Sequence, residues 1–320
     1  MDVRGRVLPA APGKEAVFEI GEGLYKRGNR IYSDCMGRFV LRDGKYSVVN
    51  EKVFDCNIEH NMGIVSYEGS IVVRGDVAAK SVIRAGGSVT IHGKVTSAVI
   101  EAAHNVTIDG RTIDSSISAK EGNIKGSVFY DGTLVSGGKI EAEVIENCTV
   151  KSVYSIECLT GAGRLTGGEI FCAGGINCLL VGNREHIETR ICLGNHDEYS
   201  KEIGTLESRI LRIDRELSKI MGQVNEIRER EKEGTATLED ESFLEAALRI
   251  RSQKVADKVP LSEKLKALRG IVKIAENATL RAKTMVYGGT IVKIGEFTQI
   301  IHADKPHPTI RSNGSAIVML

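Results

Sequence analysis

Aliphatic residues recur at a fixed interval along the middle of the chain. When the sequence is written in rows of 17 residues, apolar or small side chains fall in the same columns over several successive rows. The columns are Ile83, Ile100, Ile117 and Leu134; Ala85, Ala102, Ala119 and Ser136; Val72, Val89 and Val106, which Ile140 rejoins after Asn123; and Ile91 with Ile108. Chance rarely aligns aliphatic residues in this way, so the pattern indicates an internal structural repeat.

Each row contains short runs of alternating apolar and polar residues, such as residues 88–91 and 105–108, separated by Gly, Asn or Asp. Such runs are typical of strands joined by tight turns, and the row is too short for a βαβ unit. The sequence therefore predicts a mainly β fold, a single-stranded parallel β-helix (a solenoid) with one coil per 17-residue row. About seven coils are expected between residues 63 and 194, with Gly providing positive φ angles at the corners. The general preference of parallel crossovers favours a right-handed solenoid.

A segment rich in charged residues interrupts this pattern and has a helical period instead. Its apolar residues alternate spacings of three and four without a fault, as the a and d positions of a coiled coil do. These predicted seam residues are Ile203, Leu206, Ile210, Ile213, Leu217, Ile220, Val224 and Ile227. We expect them to form an interaction surface.

A second helix is predicted after a break at residues 231–234. Thr237 followed by Asp240 resembles an N-cap, and Pro260 is expected to bend or restart the helix. Its apolar residues form a less regular stripe than the seam, namely Phe243, Leu244, Ala247, Leu248, Ile250, Val255, Leu261, Leu265 and Leu268. Because residues 198–232 and 237–269 match in length, they predict an inserted antiparallel coiled-coil hairpin, an arm of about 50 Å.

The 17-residue spacing returns after the arm, between Ile274 and Ile291 and between Leu280 and Phe297. Before the solenoid, short alternating runs separated by Gly or Asp-Gly turns indicate a small antiparallel segment. The predicted organisation is an antiparallel β cap at residues 1–60, a parallel β-helix at 61–197, the coiled-coil hairpin at 198–269, and a return to the β-helix with a terminal strand at 270–320.

Composition narrows the possible partners. Lys and Arg number 43 against 42 Asp and Glu, a formal net charge of +1, whereas nucleic-acid binding generally needs a basic excess, so no nucleic-acid partner is expected. No apolar run approaches about 18 residues, and the first residues do not resemble a signal peptide. No membrane insertion is therefore expected. The cysteines include no CxxC pair, which agrees with free thiols and a cytoplasmic location.

Residues 194–197, Gly-Asn-His-Asp, match one sequence block of metallophosphoesterases. Those enzymes need further Asp and His blocks to bind two metals, and these blocks are missing. Asn195 or Asp197 is also well suited to cap the helix that follows. The tetrapeptide is therefore interpreted as a helix start, and no catalytic residue is assigned.

Two further groups of residues resemble metal ligands, but each has a simpler interpretation. His302, Asp304 and His307 lie near prolines and fit a surface turn. The second group is formed by cysteines at spacings too wide for the close pairs of a zinc site, and buried positions suit them. These are Cys148, Cys158, Cys172, Cys178 and Cys192. No metal and no cofactor are predicted.

Several segments resemble one known family. Residues 69–77 (GSIVVRGDV), 81–95 (SVIRAGGSVTIHGKV) and 167–178 (GGEIFCAGGINC) are similar to repeats of the flagellar assembly protein A family of bacterial proteins. The opening MDVRGRVLPAAPGK and the order of solenoid, charged insert and residues 286–294 are similar too. The resemblance implies a cytoplasmic β-solenoid, often polymer-like, linked to flagellar placement or cell-envelope organisation. It brings no catalytic residues. Family members usually carry a larger N-terminal domain, which this sequence is not expected to contain.

These observations favour a non-enzymatic scaffold. The first arm helix has a complete apolar seam, whereas the second has Lys or Arg at several facing positions, so apolar surface should remain uncovered. We expect a homo-oligomer, or a protein partner bound through the arm. Two alternatives remain open: a monomeric regulator that binds a partner, and a β-helix enzyme that acts on polysaccharides or depends on a metal.

Overall fold

The computed structural model describes residues 19–194 and 197–320. The chain is mainly β, with a β-solenoid of about eight turns and an antiparallel pair of helices. The predicted fold class is thereby confirmed.

Two antiparallel hairpins precede the solenoid. Each forms its own two-stranded sheet, and stacked aromatic rings support both, with centroids 5.6 Å apart between Tyr25 and Tyr32 and 5.4 Å between Phe39 and Tyr46. The strands are β1 (Leu24–Arg27), β2 (Arg30–Ser33), β3 (Arg38–Arg42) and β4 (Lys45–Val49).

Two long sheets, of 15 and 10 strands, form the solenoid. Up to residue 193 every pairing within them is parallel, each strand lying beside its equivalent in the next coil. The strands are β5 (Glu51–Phe54), β6 (Ile64–Tyr67), β7 (Ser70–Val73), β8 (Val82–Ala85), β9 (Val89–Ile91), β10 (Val95–Thr96), β11 (Val99–Ala102), β12 (Val106–Ile113), β13 (Ser116–Ala119), β14 (Ile124–Tyr130), β15 (Thr133–Ser136), β16 (Ile140–Glu141), β17 (Val144–Glu146), β18 (Thr149–Ser152), β19 (Ser155–Cys158), β20 (Arg164–Thr166), β21 (Glu169–Cys172), β22 (Gly175–Val181) and β23 (Thr189–Leu193), with one 3₁₀ turn at His60–Met62.

Three ladders of buried side chains line the interior of the solenoid. The first contains Val65, Ile83, Ile100, Ile117, Leu134, Val150, Ile170, Ile191 and Val292. The second contains Ile71, Val89, Val106, Ile124, Ile140, Ile156, Ile176 and Leu280. The third contains Ile58, Val77, Val95, Thr112, Phe129, Ile145, Leu165, Val181 and Val286. The ladders remove apolar surface from water in every coil, which stabilises the body.

The second ladder corrects one predicted column. Ile71, not Val72, pairs with Val89 and is fully buried, while Val72 is only half-buried. In the same ladder, Ile124 takes the place that the 17-residue rows assigned to Asn123. These steps are 18 residues long, and since the side-chain period of a strand is two, a shift of one residue exchanges its inward and outward faces.

Glycine supplies positive φ angles at some corners, as predicted, since φ lies between 55° and 72° at Gly163, Gly167, Gly168 and Gly182. One corner has positive φ angles between 42° and 64°, but side chains other than Gly occupy it in successive coils, namely Lys80, Ser97, Asp114, Asp131 and Asn147. Gly86 and Gly137, from two of the Gly-Gly pairs, are needed for space instead. A Cβ there would lie 2.2 Å from the Glu68 carbonyl oxygen and 2.1 Å from that of Lys120. These glycines permit adjacent coils to approach closely.

The helical arm is inserted between two coils. It consists of α1 (Asp197–Lys232) and α2 (Leu238–Ala275), and the solenoid resumes with β24 (Thr279–Val286) and β25 (Thr290–Ile294). β24 pairs in parallel with β22, and β25 with β23, so the inward ladders cross the insertion without a gap. α2 is one helix that runs through Pro260 rather than restarting there. The Pro260 side chain is exposed, so the position where the helix loses a backbone hydrogen bond faces water.

Only one coil of the parallel solenoid follows the arm. The remaining strands pair antiparallel with it or with one another: β26 (Phe297–Ile301) with β25, β27 (Lys305–Pro306) and β28 (Thr309–Ser312) with β24, and β29 (Ile317–Met319) with β28. The 17-residue spacings predicted after the arm are therefore wrong, because Ile274 lies in α2 and Phe297 lies on a reversed strand. These strands cover the last parallel coil.

Candidate interaction surface of the helical arm

The predicted seam of α1 lies against α2. Leu206, Val224 and Ile227 are buried there, with exposed fractions of 5%, 2% and 4%. The other five seam residues are only half-buried: Ile203, Ile210, Ile213, Leu217 and Ile220. The seam is thus covered well near its ends and less well in its middle.

Lysines on α2 explain this incomplete cover. Lys254 Nζ lies 2.5 Å from Glu216 Oε2, and Lys258 Nζ lies 2.5 Å from Asp214 Oδ1, both beside the middle of the seam. Hydrogen bonds from Lys254 and then Arg212 lower the pKa of the Glu216 carboxyl. Ion pairs with side chains this exposed add little stability, so the middle of the arm is weakly held compared with its ends.

A capping box closes the tip of the arm. The Thr237 backbone N–H donates to Asp240 Oδ2 at 3.0 Å, and the Asp240 N–H donates to Thr237 Oγ1 at 3.3 Å. Arg230 of α1 lies 3.0 Å from Asp240 and ties the two helices together. The backbone hydrogen bond at Thr237 is the main cause that lowers the pKa of Asp240. The N-cap predicted at Thr237 is confirmed.

Part of the apolar stripe of α2 faces solvent rather than α1. Leu248, Val255 and Val259 are 49%, 46% and 51% exposed. Leu248 and Val255 belong to the apolar stripe predicted for the second helix, and Val259 was not identified. Each lies one residue after a position in the 3–4 pattern that faces α1, which places it about 100° around the helix. This one-residue offset in the sequence distinguishes the solvent-facing side of α2 from the side that faces α1.

The cysteines fill buried positions. Cys148, Cys158, Cys172 and Cys178 are buried and Cys192 is half-buried. Burial raises the pKa of Cys158 and of Cys172 to about 12. The Cys172 thiol donates to the Gly175 carbonyl at 3.6 Å, as the Ser152 hydroxyl does to the Ser155 carbonyl at 2.9 Å one coil earlier. The thiols therefore act as structural side chains of the coils.

The other residues that resemble metal ligands in the sequence make separate contacts. Asp304 Oδ1 accepts a hydrogen bond from the Gly288 N–H at 3.0 Å and lies 3.3 Å from His186 Nε2, whereas His307 Nδ1 lies 2.5 Å from the Lys283 carbonyl oxygen. Asn195 and His196 lie outside the described residues. Among the residues that the structure does describe, no three His, Cys, Asp or Glu side chains are grouped so that they could hold a metal ion.

Within residues 19–194 and 197–320, no helix combines the length and the hydropathy needed to cross a bilayer. The chain matches no curated protein and no solved structure at significant similarity. A family model does match it: the Flagellar Assembly Protein A β-solenoid domain, over residues 52–317. That match spans the parallel ladders, the arm inserted among them and the antiparallel strands that end the solenoid. The chain therefore belongs to the Flagellar Assembly Protein A family.

Proposed function

We propose that this protein is a non-enzymatic scaffold in flagellar assembly, in which the solenoid is a rigid support and the helical arm binds a partner protein. Membership of the Flagellar Assembly Protein A family supports the flagellar role. The interior of the solenoid supports a structural role, because three continuous ladders fill it with buried side chains that hold successive coils together. A partner protein would therefore bind to the outer surface.

The observation that carries the proposal is the continuity of the ladders across the arm. Ile191 pairs with Val292, and Ile176 pairs with Leu280, although the whole arm lies between them in the sequence. The body thus has its pairing partners without the arm. An insertion that the fold does not need, and that exposes Leu248 and Val255 along its side, is well suited to contact another protein.

The test is a chromosomal replacement in a flagellated bacterium that encodes the protein. In one strain a short Gly-Ser linker replaces residues 201–269, and flagella per cell are counted by electron microscopy. We expect loss or misplacement of flagella, while immunoblots show the shortened protein at the normal level. The matched control is Glu231→Ala, an exposed residue near the tip of α1, which should leave flagellation normal.

Normal flagellation with the shortened protein present at the normal level would overturn the role of the arm. Hydrolysis of a generic phosphoester by the purified chain, abolished by a single substitution in it, would favour an enzyme instead. Loss of flagella in the Glu231→Ala strain as well would show that the phenotype comes from the chromosomal replacement rather than from removal of the arm, and it would also count against the proposal.

A further inference from the structure

One face of α2 combines exposure with an unusual order of residues. Starting at Glu241, eight positions follow one another at alternating spacings of four and three, so they share one side of the helix. They are Glu241, Glu245, Leu248, Ser252, Val255, Val259, Ser262 and Lys266. We call this set the lateral stripe. Seven of its members are exposed and Ser262 is half-buried, so α1 does not cover it.

The lateral stripe is complementary to itself when read backwards. If two copies lie antiparallel and are centred between Ser252 and Val255, the eight positions of one copy face those of the other in reverse order. The acid Glu241 meets the base Lys266 of the other copy, and Leu248 meets Val259. The remaining pairs are Glu245 with Ser262 and Ser252 with Val255. Two-fold symmetry repeats each contact, as an isologous interface requires.

The charges at the two ends have no partner within one copy. Neither Glu241 nor Lys266 forms an ion pair within the part of the chain that the structure describes. They are about 37 Å apart along one helix, at ~1.5 Å per residue, and cannot meet in the same arm. In the antiparallel arrangement each lies beside the opposite charge. Charges placed in this way favour one register and oppose the parallel alternative.

We propose that the lateral stripe of α2 binds the lateral stripe of a second copy of this chain, antiparallel, so that the two arms form a four-helix bundle. This inference rests on the proposed function, since it names the partner of the arm. The small Ser252 allows the helix axes to approach closely at the centre, where it faces Val255. The exposed apolar side chains of Leu248, Val255 and Val259 then become buried in the bundle.

The register also fixes where each arm ends relative to the other copy. With the centre between Ser252 and Val255, Leu238 at the start of one α2 lies level with Arg269 of the other. The tip loop at residues 233–237 is then level with residues 270–274, and the solenoid resumes only at Thr279. Each arm therefore ends level with the base of its partner's α2, where Ile274 lies close to the solenoid wall, and the two bodies lie at opposite ends of the bundle.

Charge reversal tests the register in the full-length protein. Glu241→Lys replaces both ion pairs by like charges, so the dissociation constant from sedimentation velocity should rise at least about tenfold. Adding Lys266→Glu to the same chain restores opposite charges across the interface but makes no contact within one arm. The double variant should return to within about threefold of the wild-type value. Because both substituted side chains are exposed, neither variant should unfold, and circular dichroism checks that both remain folded.

Crosslinking tests the orientation. In a background with Cys35→Ser and Cys56→Ser, which removes the two exposed thiols, protein carrying Glu241→Cys is mixed with protein carrying Lys266→Cys. A short bismaleimide should join the two kinds of chain. Glu241→Cys alone should give no dimer, because in the antiparallel register two copies of residue 241 lie about 37 Å apart.

Dimers from Glu241→Cys alone, or a double charge variant as weak as the single one, would overturn the inference. A wild-type chain that stays monomeric at about 100 μM would overturn it too, because that concentration is far above the dissociation constant expected of a functional dimer. If the flagellar phenotype of the arm deletion persists in that case, the scaffold role stands with a different partner. If the arm deletion has no phenotype, the proposed function fails whether or not the dimer forms.

Discussion

Ile100 pairs with Ile117 in the adjacent parallel strand, and neither side chain has any exposed surface. Ile100→Asp would place a carboxylate in the middle of this ladder, with no partner and no water. Burying an unpaired charge costs several kcal/mol, which is a large part of the stability of a typical domain. We expect the variant to be unfolded or strongly destabilised in a melt followed by circular dichroism.

Ile100→Val is the matched control, since it removes one methylene group and adds no charge. Its expected cost is about 1 kcal/mol, with the β signal unchanged. If the melt of Ile100→Asp coincided with that of the wild type, Ile100 could not be an interior residue, and the ladder would be disproved.

Excision of the arm should leave the solenoid folded. A short linker in place of residues 201–269 keeps the bases of both helices, including Tyr199 and Ile274, which lie close to the solenoid wall. Because Ile191 keeps its partner Val292, the β signal and the melting of the body should be close to those of the wild type. Insoluble protein, or protein without the β signal, would mean that the arm is part of the fold.

Substitution of Thr112 is expected to stabilise the protein. Its Oγ1 atom is buried and has no hydrogen-bond partner in the described structure, and it lies between Val95 and Phe129 in the third ladder. Thr112→Val removes the unpaired hydroxyl and keeps the branched shape. We expect the free energy of unfolding to rise by about 1 kcal/mol or more, measured by denaturant titration.

The control for this prediction is Thr166→Val. Thr166 is equally buried, but its hydroxyl donates a hydrogen bond to the Gly182 carbonyl at 3.0 Å. Removing it leaves that carbonyl without the bond and should lower stability by about 1 kcal/mol. Equal effects of the two substitutions would show that the hydroxyl of Thr112 is satisfied.

Burial of the thiols predicts selective labelling. Cys35 and Cys56 are exposed and should react with iodoacetamide at pH 8, whereas Cys158, Cys172 and Cys178 should react only after denaturation. Mass spectrometry of the labelled peptides measures this. Rapid labelling of Cys158 in the folded protein would place it outside the core.

The same thiols predict a loss of stability at high pH. Burial raises the pKa of Cys158 from its ordinary 9.0 to about 12. Above pH 9 the unfolded chain releases this proton while the folded chain keeps it, so stability falls as the pH rises from 9 towards 12. Cys158→Ala should reduce the slope of unfolding free energy against pH in that interval, and an unchanged slope would contradict the assignment.

Substitutions at two neighbouring residues of α1 distinguish the effect of packing against α2 from the effect of adding a surface charge. Ile210 is half-buried against α2, whereas Leu211 is 51% exposed. Ile210→Lys, alone or with Leu217→Lys, should loosen the hairpin and speed its cleavage by trypsin, since a charge replaces seam contacts. Leu211→Lys should have little effect on cleavage. If both single variants were cleaved at the same rate, the seam would not hold the helices together.

Regular spacing made the fold predictable from the sequence. The column from Ile83 to Leu134 keeps a step of 17 residues over four coils, and each of its aliphatic side chains lies on the inward face. The unbroken 3–4 spacing from Ile203 to Ile227 similarly identified α1 and a partner helix for it. In both cases the pattern is repeated along the chain, so one irregular repeat does not change the predicted structure.

Coil length was harder to predict, because it varies where a corner can absorb an extra residue. The steps from Ile71 to Val89, and into Ile124, contain one residue more than the rows assumed, and only the strand pairing reveals this. The role of some glycines was also not predicted: at Gly86 the constraint is space, because a Cβ there would lie 2.2 Å from the Glu68 carbonyl oxygen of the neighbouring coil. Such a contact joins residues that no local pattern connects.

The sequence by itself determined the solenoid and the helical arm, because each depends on periodicity along a continuous stretch. Only the tertiary structure decided which apolar residues of the arm remain available. Leu248 and Val259 have the same chemistry as the seam residues, and they differ from them only in facing away from α1. The exposure of a side chain depends on which helix lies beside it, and the packing of α1 against α2 determines this.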